Sequence, residues 1–381
     1  MSAYLDNSAT TQPSDGVIDA MTRCMKEGFY NPSAMYSPAI NAEKALSACR
    51  AEVAGALCVQ PKEITFTSGG TESNNLAIIG SVTAMYGTRH VAVSAVEHPS
   101  VLESFERLKE LGHRVTVLNV DKKGQLDFEQ LANALDDDLS LVSVMQVNNE
   151  TGAISDAKRI SDLIKRKSPN TLYHVDGVQG FMRVPFDARI CDLYTLSGHK
   201  IHGPKGIGAL YVRSGVKLKP RQIGGGQENL VRSGTENTPG IAGLMEAVRE
   251  MKTFTDRFDV LMAKKQRLWN AIKANVPEAI LNGPDITDGA PHILNVGFPN
   301  VRGEVMLHAL EGDKVYCSTG SACSSKKRHV SPVLLAMGIT ADTAEWALRF
   351  SLSPYTSDEE IDYAAEKMGK NYALLKRFVR R

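Results

Sequence analysis

Two stretches of the sequence carry a lysine and a carboxylate that could support Schiff-base chemistry. Lys200 ends the loop Ser197–Lys200, which follows a strand predicted for 193–196, and Asp176 follows a strand predicted for 172–175. A desolvated lysine loses its proton readily, so its amine can form a Schiff base with a carbonyl. A carboxylate can keep the ring nitrogen of a pyridine-based cofactor protonated. Considered alone, an Asp and a Lys at strand ends would more often be ordinary residues or an ion pair.

The elements that must position these residues alternate between strand and helix from residue 63 onward. Strands are predicted at 64–67, 90–95, 114–120, 139–147, 172–175, 193–196 and 207–212. This alternation is typical of a mostly parallel sheet covered on both faces, which binds ligands beyond the carboxyl ends of its strands. The candidate residues all follow predicted strands: Thr71, His98, Asn149, Asp176 and Lys200. Their shared position predicts one site.

The turn Ser68–Glu72 is a candidate anion cradle. Its glycines let backbone N–H groups approach a ligand, and the helix predicted after it directs its positive end there. No Gly-Lys-Ser/Thr follows, so it is not a Walker A loop, and an ordinary tight turn fits it equally well. Ser197 and His199 could add phosphate donors. His98, which precedes Pro99, is either a plain helix N-cap or an imidazole that lies against a flat ring and moves protons.

Two loops far along the chain carry further candidates. The glycine-rich loop Gly224–Glu228, with Arg232–Thr235, is distant in sequence from the strand-end residues, so we expect it to act elsewhere, for example across a subunit boundary. Cys323 lies among small polar residues and precedes the basic cluster Lys326–Arg328. An exposed thiol near cations has a lowered pKa and is a better nucleophile. The alternative is an incidental loop cysteine, and Cys317 on the preceding strand is expected to be structural.

Length and composition limit the class of protein. The 381 residues, of which 43% are hydrophobic, allow one large domain and a smaller one. Lys+Arg (44) and Asp+Glu (43) nearly balance, so nothing indicates nucleic acid or an anionic membrane as a partner. There is no run of ~20 apolar residues and no signal-peptide pattern, so we expect a cytoplasmic protein. The six cysteines form no CxxC pair, which indicates reduced thiols and no metal; Cys49 and Cys58 are expected in the core.

The pattern changes after a helical stretch over 239–275. A smaller α+β unit is predicted there, with strands at 293–298, 314–317 and 347–352. We expect a large domain over 14–255. The small domain would combine 1–13 with 256–381 and carry the cysteine loop at about 318–331.

Taken together and in order, these motifs resemble the cysteine desulfurases of the NifS/IscS type, within the class V, fold-type I enzymes that use pyridoxal 5′-phosphate (PLP). The resemblance covers nearly the whole chain. Its motifs are Tyr4–Thr11, Phe66–Asn74, Glu97-His98, Val147–Gly152, His174–Gln179, Ser197–Gly206, Gly224–Glu228, Arg232–Thr235, Gly320–Cys323 and Arg349–Ser351. The resemblance implies an α/β fold-type I PLP transferase with a mostly parallel seven-stranded sheet and a smaller α+β domain.

The resemblance also implies roles around the cofactor. Lys200 would form the Schiff base with PLP and, once freed, take the substrate Cα proton. Asp176 would pair with the ring nitrogen, Gln179 would reach the ring hydroxyl and His98 would stack on the ring. The phosphate would be held by Gly70, Thr71, Ser197 and His199, joined by Thr235 from the other subunit of a homodimer. The substrate carboxylate would be received by Asn31, Asn149 and Arg349, with Asn149 also close to the cofactor.

The implied reaction takes sulfur from L-cysteine, leaving L-alanine and a persulfide on Cys323. The acceptor would be an iron–sulfur scaffold, a thiolation enzyme or another carrier. The alternatives are a selenocysteine lyase or another class V PLP enzyme, neither of which needs a thiol like Cys323, and a non-catalytic assembly subunit. The presence of Lys200 and Asp176 argues against the last of these.

Two features depart from the family pattern. The family usually has a histidine shortly after Asn-Pro-Ser, whereas this chain reads Asn31-Pro32-Ser33-Ala34-Met35-Tyr36. The sequence also ends at Arg381, without the longer C-terminal extension that housekeeping members use to dock a scaffold, so we expect the acceptor to bind differently or to be another protein. The Gly-Ser-Ala-Cys-Ser sequence places the cysteine loop in the long-loop group.

Overall fold

A computed structural model describes residues 1–319 and 330–378. The strands in these residues are β1 Ala3–Tyr4, β2 Ile64–Thr67, β3 His90–Ser94, β4 Arg114–Leu118, β5 Leu139–Ser143, β6 Leu172–Asp176, β7 Leu193–Ser197, β8 Gly208–Val212, β9 Ile280–Leu281, β10 Ile293–Gly297, β11 Val315–Tyr316 and β12 Ala347–Ser351. The α-helices are α1 Asp15–Glu27, α2 Ser37–Leu57, α3 Gly70–Thr83, α4 Pro99–Glu110, α5 Phe128–Ala134, α6 Ala157–Lys167, α7 Thr238–Thr253, α8 Arg257–Asn275, α9 Gly303–Gly312, α10 Pro332–Ala336, α11 Ala341–Ala344 and α12 Asp358–Leu375. None of the described helices has the length and apolar character needed to span a membrane.

The main sheet of the described chain has seven strands in the order β2-β8-β7-β6-β5-β3-β4. Strands β7, β6, β5, β3 and β4 pair in parallel, and β8 is antiparallel to both of its neighbours. Strand β2 therefore runs in the same direction as the central strands. Strands β2, β3, β5, β6 and β7 therefore have their carboxyl ends at the same edge of the sheet. Their last residues are Thr67, Ser94, Ser143, Asp176 and Ser197. The predicted mostly parallel seven-stranded sheet is confirmed.

Local chain signals set the helix ends around this sheet. The Ser14 hydroxyl accepts from Val17 N (3.2 Å), so Ser14 caps α1. Helix α2 begins at Ser37, with Pro38 in its first turn. Cys49 is buried on α2, but Cys58 is exposed just after its last turn, with a left-handed backbone (φ +61°), so the prediction that Cys58 is in the core was wrong.

A second layer of strands joins the two ends of the chain. Strand β10 lies between β12 and β9 in an antiparallel sheet, and β1 pairs in parallel with β11. Ala3 and Leu5 are fully buried in the same apolar core as Leu294 and Phe350. The N-terminal residues are thus held against the C-terminal part of the chain, and the segment that follows them crosses to the carboxyl edge of the large sheet.

Candidate active site

Lys200 lies on a short 3-10 turn, Gly198–Lys200, directly after β7. Gly198 N donates to Ile207 O (3.0 Å), which ties the turn to the strand that follows it. The Lys200 ammonium donates to the backbone carbonyls of Ser8 (2.6 Å) and Ala9 (2.7 Å). The candidate Schiff-base amine therefore lies at the carboxyl edge of the sheet, against the N-terminal segment.

Arg183 holds this arrangement in place, although it was not predicted as a site residue from the sequence. Its guanidinium donates to Gln179 Oε1 (3.0 Å), to Asn7 O (3.3 Å) and to the backbone carbonyl of Lys200. Gln179 Nε2 donates to Ser8 O (2.9 Å), the same carbonyl that Lys200 contacts. Burial lowers the pKa of Arg183 to about 9, yet at neutral pH it still carries the charge that strengthens these bonds.

Asp176 is the last residue of β6 and is buried beside two donors. Its Oδ1 accepts from Val178 N (3.0 Å) and its Oδ2 from Asn74 Nδ2 (2.8 Å). His98 caps α4, since its Nδ1 accepts from Ser100 N (3.1 Å). Burial lowers the pKa of His98, partly offset by the Asp176 charge and reinforced by that of Lys200. The N-cap expectation is confirmed, and the same imidazole lies within the electrostatic reach of Asp176 and Lys200.

Glu97 adds a second carboxyl group next to this pair. Its Oε1 accepts from Met145 N (2.6 Å), and its Oε2 is buried with no hydrogen-bond partner in the described chain. Burial, and then the charge of Asp176, raise the pKa of Glu97 well above its usual value. Burial therefore shifts the Glu97 carboxyl toward its protonated form, next to Asp176.

The predicted anion cradle is formed by the turn before α3. Gly69, with φ of +150°, takes a conformation that favours glycine. A Cβ on Gly70 would lie 2.7 Å from Val178 Cγ2, and one on Gly69 would lie 3.8 Å from Ser197 Oγ. The turn thus approaches β7 closely, with the N-terminus of α3 and the exposed Thr71 beside it. The residues could hold a phosphate there through N–H groups and hydroxyls.

His199 is the fourth predicted phosphate donor. Its Nδ1 lies 3.2 Å from Thr10 Oγ1, and its backbone oxygen accepts from Thr11 N (2.9 Å). Burial, then the positive charge of Lys200, lower the pKa of His199 to about 4. The imidazole is therefore neutral at pH 7.

Arg349 on β12 faces the same segment from the other layer. Its Nη2 donates to Asp6 Oδ1 (2.7 Å) and its Nη1 to the backbone oxygen of Asn149 (2.9 Å). Arg349 Nε and Asn149 Oδ1 are both buried without a hydrogen-bond partner among the described residues. The structure therefore brings Arg349 and Asn149 together and leaves a donor and an acceptor for a ligand.

Asn31 stands apart from this pair. It is exposed, and its Oδ1 accepts from Ser33 N in its own loop (2.9 Å). No hydrogen bond between described residues joins it to Arg349. Its role at the substrate carboxylate stays a prediction.

The glycine-rich loop lies beside the cradle of its own chain, contrary to the expectation from its distance in sequence. Arg232 Nε donates to Glu72 Oε1 (2.9 Å), whose other oxygen accepts from Ser68 N (2.7 Å). The exposed Thr235 and Ser68 line the same cleft. Thr235 is therefore close to the cradle at the surface, and its action on a second subunit stays a prediction.

The proposed nucleophile Cys323 lies outside the described residues. Cys317 precedes that gap, and burial, followed by the nearby charge of Asp6, raises the pKa of its thiol to about 12. Cys317 is thus protonated at neutral pH and is a poor nucleophile, as expected for a structural cysteine.

The side chains described above fit a phosphorylated aldehyde such as PLP together with an amino acid. They offer an amine (Lys200), a buried carboxylate (Asp176), a helix N-terminus preceded by glycines (Gly69-Gly70) and a guanidinium with an unpaired buried N–H (Arg349). Asp6, Arg183 and Asn74 were not predicted as site residues from the sequence. Asp6 and Asn74 lie in the motifs Tyr4–Thr11 and Phe66–Asn74, which matched the family without a role assigned to either residue, and Arg183 lies in no motif.

Comparisons with known proteins agree with this geometry. The sequence matches the aminotransferase class-V family over residues 3–364. It is 39% identical to a cysteine desulfurase of Nostoc sp. (96% of this chain, 91% of the relative) and 40% identical to cysteine desulfurase IscS of Clostridium botulinum (96% and 93%). Similar structures are a NifS-like protein (TM-score 0.92, 34% identity, 98% of this chain and 100% of that chain) and SspA in complex with cysteine (TM-score 0.81, 31% identity, 93% and 100%). The chain belongs to the class-V aminotransferase family.

Proposed function

We propose that this protein is a PLP-dependent cysteine desulfurase, which removes the sulfur of L-cysteine and leaves L-alanine. Relatives that carry this activity in their names are 39–40% identical over nearly the full chain. The observation that carries the proposal is the convergence on residues 6–9 from two layers: Arg349 contacts Asp6, and Lys200 contacts Ser8 and Ala9. One amino acid bound there would meet a guanidinium at its carboxylate and an amine at its Cα.

The cofactor site follows from the residues around Lys200. When bound, PLP withdraws electrons from the substrate Cα and so acidifies its proton. Asp176 holds the ring nitrogen proton, and the two donors on its oxygens keep its carboxylate in place. Gln179 would reach the ring hydroxyl, and His98 would lie against the ring. Gly70, Thr71, Ser197 and His199 would hold the phosphate.

Substrate binding and proton transfer use the remaining groups. Arg349 binds the substrate carboxylate through its unpaired Nε. The Asn149 side chain assists through its amide nitrogen, since its oxygen cannot donate to a carboxylate. The Lys200 amine takes the Cα proton and can return it during formation of alanine. The carbonyls of Ser8 and Ala9 then hold the resulting ammonium at a fixed position.

Sulfur leaves the substrate through Cys323. Its thiolate attacks the substrate sulfur, and a sulfur–sulfur bond forms as the carbon–sulfur bond breaks. The bonding electron pair stays with the substrate carbon, which takes a proton and becomes the methyl group of alanine. No external oxidant is needed, because reduction of the substrate Cβ to a methyl group balances the two-electron oxidation of sulfur to the persulfide level.

The test is turnover of L-cysteine by the holoenzyme with a reducing thiol present. We expect alanine and sulfide in equal amounts. A selenocysteine lyase would instead release selenide from L-selenocysteine and leave L-cysteine unchanged. That outcome, or formation of pyruvate or a keto acid in place of alanine, would contradict the proposed function.

A homodimer completes the phosphate site in this proposal, with Thr235 reaching the partner's PLP. Large apolar side chains are exposed on either side of the glycine-rich loop, at Ile223 and Leu230, and between α1 and α2, at Phe29, Met35 and Tyr36. Such side chains favour burial in an interface. Thr235 is exposed, which leaves its hydroxyl available to a second chain.

Mixed dimers test the trans action of Thr235. Thr235→Glu places a carboxylate against the phosphate, and Lys200→Ala removes the amine, so neither variant should turn over cysteine. After denaturation and joint refolding, half of the dimers contain one chain of each variant. If Thr235 acts across the interface, one of the two sites in such a mixed dimer combines an intact Lys200 with an intact Thr235, and otherwise neither site does. We then expect about one quarter of wild-type activity. Activity no greater than that of the separate variants would contradict the trans role.

We also propose the domain division 14–255 and 1–13 with 256–381. It is supported by the separate apolar core that Ala3 and Leu5 share with residues after 260.

The persulfide is passed to an acceptor protein, an iron–sulfur scaffold or a thiolation enzyme. Transfer of labelled sulfur from the loaded enzyme to each purified candidate distinguishes them, and label that appears only as free sulfide would argue against a protein acceptor.

A further inference from the structure

A continuous chain of hydrogen bonds joins the Asp176 carboxylate to the His98 imidazole. Asn74 Nδ2 donates to Asp176 Oδ2 (2.8 Å) and to Ser100 Oγ (2.9 Å). Ser100 Oγ lies 2.8 Å from His98 Nδ1, and Ser100 N donates to the same ring nitrogen (3.1 Å). Asn74 is 1% exposed and Asp176 is 3% exposed, so water does not compete for these bonds.

The chemistry of the four groups fixes the direction of every bond. The carboxylate of Asp176 can only accept, so the Asn74 amide must present its nitrogen, and its two protons go to Asp176 and Ser100. The Ser100 hydroxyl, which accepts from Asn74, has its own proton left for His98 Nδ1. That nitrogen also accepts a backbone N–H, so the neutral His98 carries its proton on Nε2.

We propose, on the basis of the function above, that Asn74 is a positioning residue for this reaction: its amide fixes Asp176 and, through the Ser100 hydroxyl, fixes the orientation and tautomer of His98. The imidazole then presents an N–H and not a basic nitrogen to the groups it faces. Asn74 itself touches neither Lys200 nor the residues proposed for the substrate carboxylate in the hydrogen bonds of the described chain. It acts through Asp176 and Ser100.

The charged and titratable groups around His98 agree with a neutral ring. Asp176 favours its protonation and Lys200 opposes it, while burial opposes it most strongly. Glu97, from the adjacent position, is itself buried, and burial raises the pKa of its carboxyl. Each hydrogen bond donated to Nδ1 favours the neutral ring. Loss of the Ser100 hydroxyl removes one of them, and loss of Asn74 removes the donor that directs this hydroxyl toward Nδ1. Both changes should therefore raise the His98 pKa.

The experiment follows His98 in the full-length apoprotein by 15N NMR with labelled histidine, where the His98 signal is the one lost in His98→Gln. Asn74→Leu removes both donors at similar volume, and Ser100→Ala removes the hydroxyl. We expect each variant to raise the His98 pKa by about 0.5–1 unit, and the double variant to add nothing beyond the larger single shift. Asn371→Leu is the matched control, because Asn371 is also nearly buried and donates its Nδ2 to an aspartate, Asp313 (2.8 Å). It should leave His98 unchanged.

Kinetics provide an independent reading. In the holoenzyme we expect Asn74→Leu to lower kcat for alanine formation about tenfold while KM for L-cysteine changes less than about twofold. An unshifted His98 in Asn74→Leu, or shifts that add in the double variant, would overturn the proposal. If Asn74→Leu does not fold, an unshifted His98 in Ser100→Ala overturns it. Since the titration needs no turnover, it separates this proposal from the proposed function.

Discussion

Lys200→Ala should abolish alanine formation, with a loss of at least about 1,000-fold, because it removes both the Schiff-base amine and the base for the Cα proton. The purified wild-type protein should be yellow, and borohydride should bleach it and attach the cofactor covalently to Lys200. The variant should carry at most loosely bound cofactor that dialysis removes. Absorption spectra before and after dialysis, together with alanine measured from L-cysteine, check both results.

Lys205→Ala is the matched control for this change. Lys205 is exposed in the same loop, five residues after Lys200, and is not part of the proposed machinery. It should retain its colour and close to wild-type turnover. Turnover in Lys200→Ala within about tenfold of the wild-type rate would contradict the role of Lys200, because another group would then be acting as the base.

Cys323→Ser should stop sulfur release from L-cysteine while leaving the bound cofactor and its absorption unchanged. A serine hydroxyl is a far weaker nucleophile toward sulfur than a thiolate, so we expect a loss of at least about 100-fold. Sulfide release and the absorption spectrum are measured on the same preparation. The spectrum shows whether the variant is still loaded, which separates a chemical defect from a folding defect.

Cys317→Ala is the control in the same region of sequence. Burial raises the pKa of Cys317 to about 12, so its thiol contributes almost no thiolate at neutral pH. It should retain most of the activity. If Cys323→Ser releases sulfide at the normal rate, sulfur does not pass through Cys323. Complete loss of sulfide release in Cys317→Ala with its cofactor absorption intact would also contradict that route.

The large sheet could be predicted from the sequence because its strands, apart from the edge strand β4, are mostly buried and most of them alternate with helices. The strand ends at Thr67, Asp176 and Ser197 were placed within one residue of their observed positions. Strand β5 ends at Ser143, four residues before the predicted end, because the apolar residues that follow it remain buried in a loop. A run of apolar residues does not by itself reveal where ladder hydrogen bonds end.

Contacts between distant parts of the chain were the least predictable. The N-terminal segment reaches Lys200 and Arg349 through backbone carbonyls and Asp6, and backbone carbonyls leave no sign in residue types. The buried ion pair of Glu228 with Arg50 (2.7 Å), in which Glu228 also accepts from Phe66 N (2.9 Å), places the glycine-rich loop beside β2. The distance in sequence had suggested that this loop acts away from the strand-end residues. Distance in sequence is a poor guide here, because it carries no information on tertiary contacts.

Arg183 and Asn74 were missed for a different reason. Both are polar side chains in otherwise ordinary helical or turn patterns, and their importance comes from what they contact once buried. Asp176 and His98 were found because they lie at the end of a strand or shortly after it. The residues that orient them have no fixed position relative to the strand ends, so the strand-end rule cannot find them.

The most direct measurement is mass spectrometry of the Cys323 peptide after a single exposure of the holoenzyme to L-cysteine without reductant. The account predicts a mass increase of one sulfur atom on Cys323, removed by a reducing thiol, with one alanine formed for each modified chain. Alanine and sulfide formed at the normal rate while Cys323 stays unmodified, or the extra sulfur on another cysteine, would contradict it.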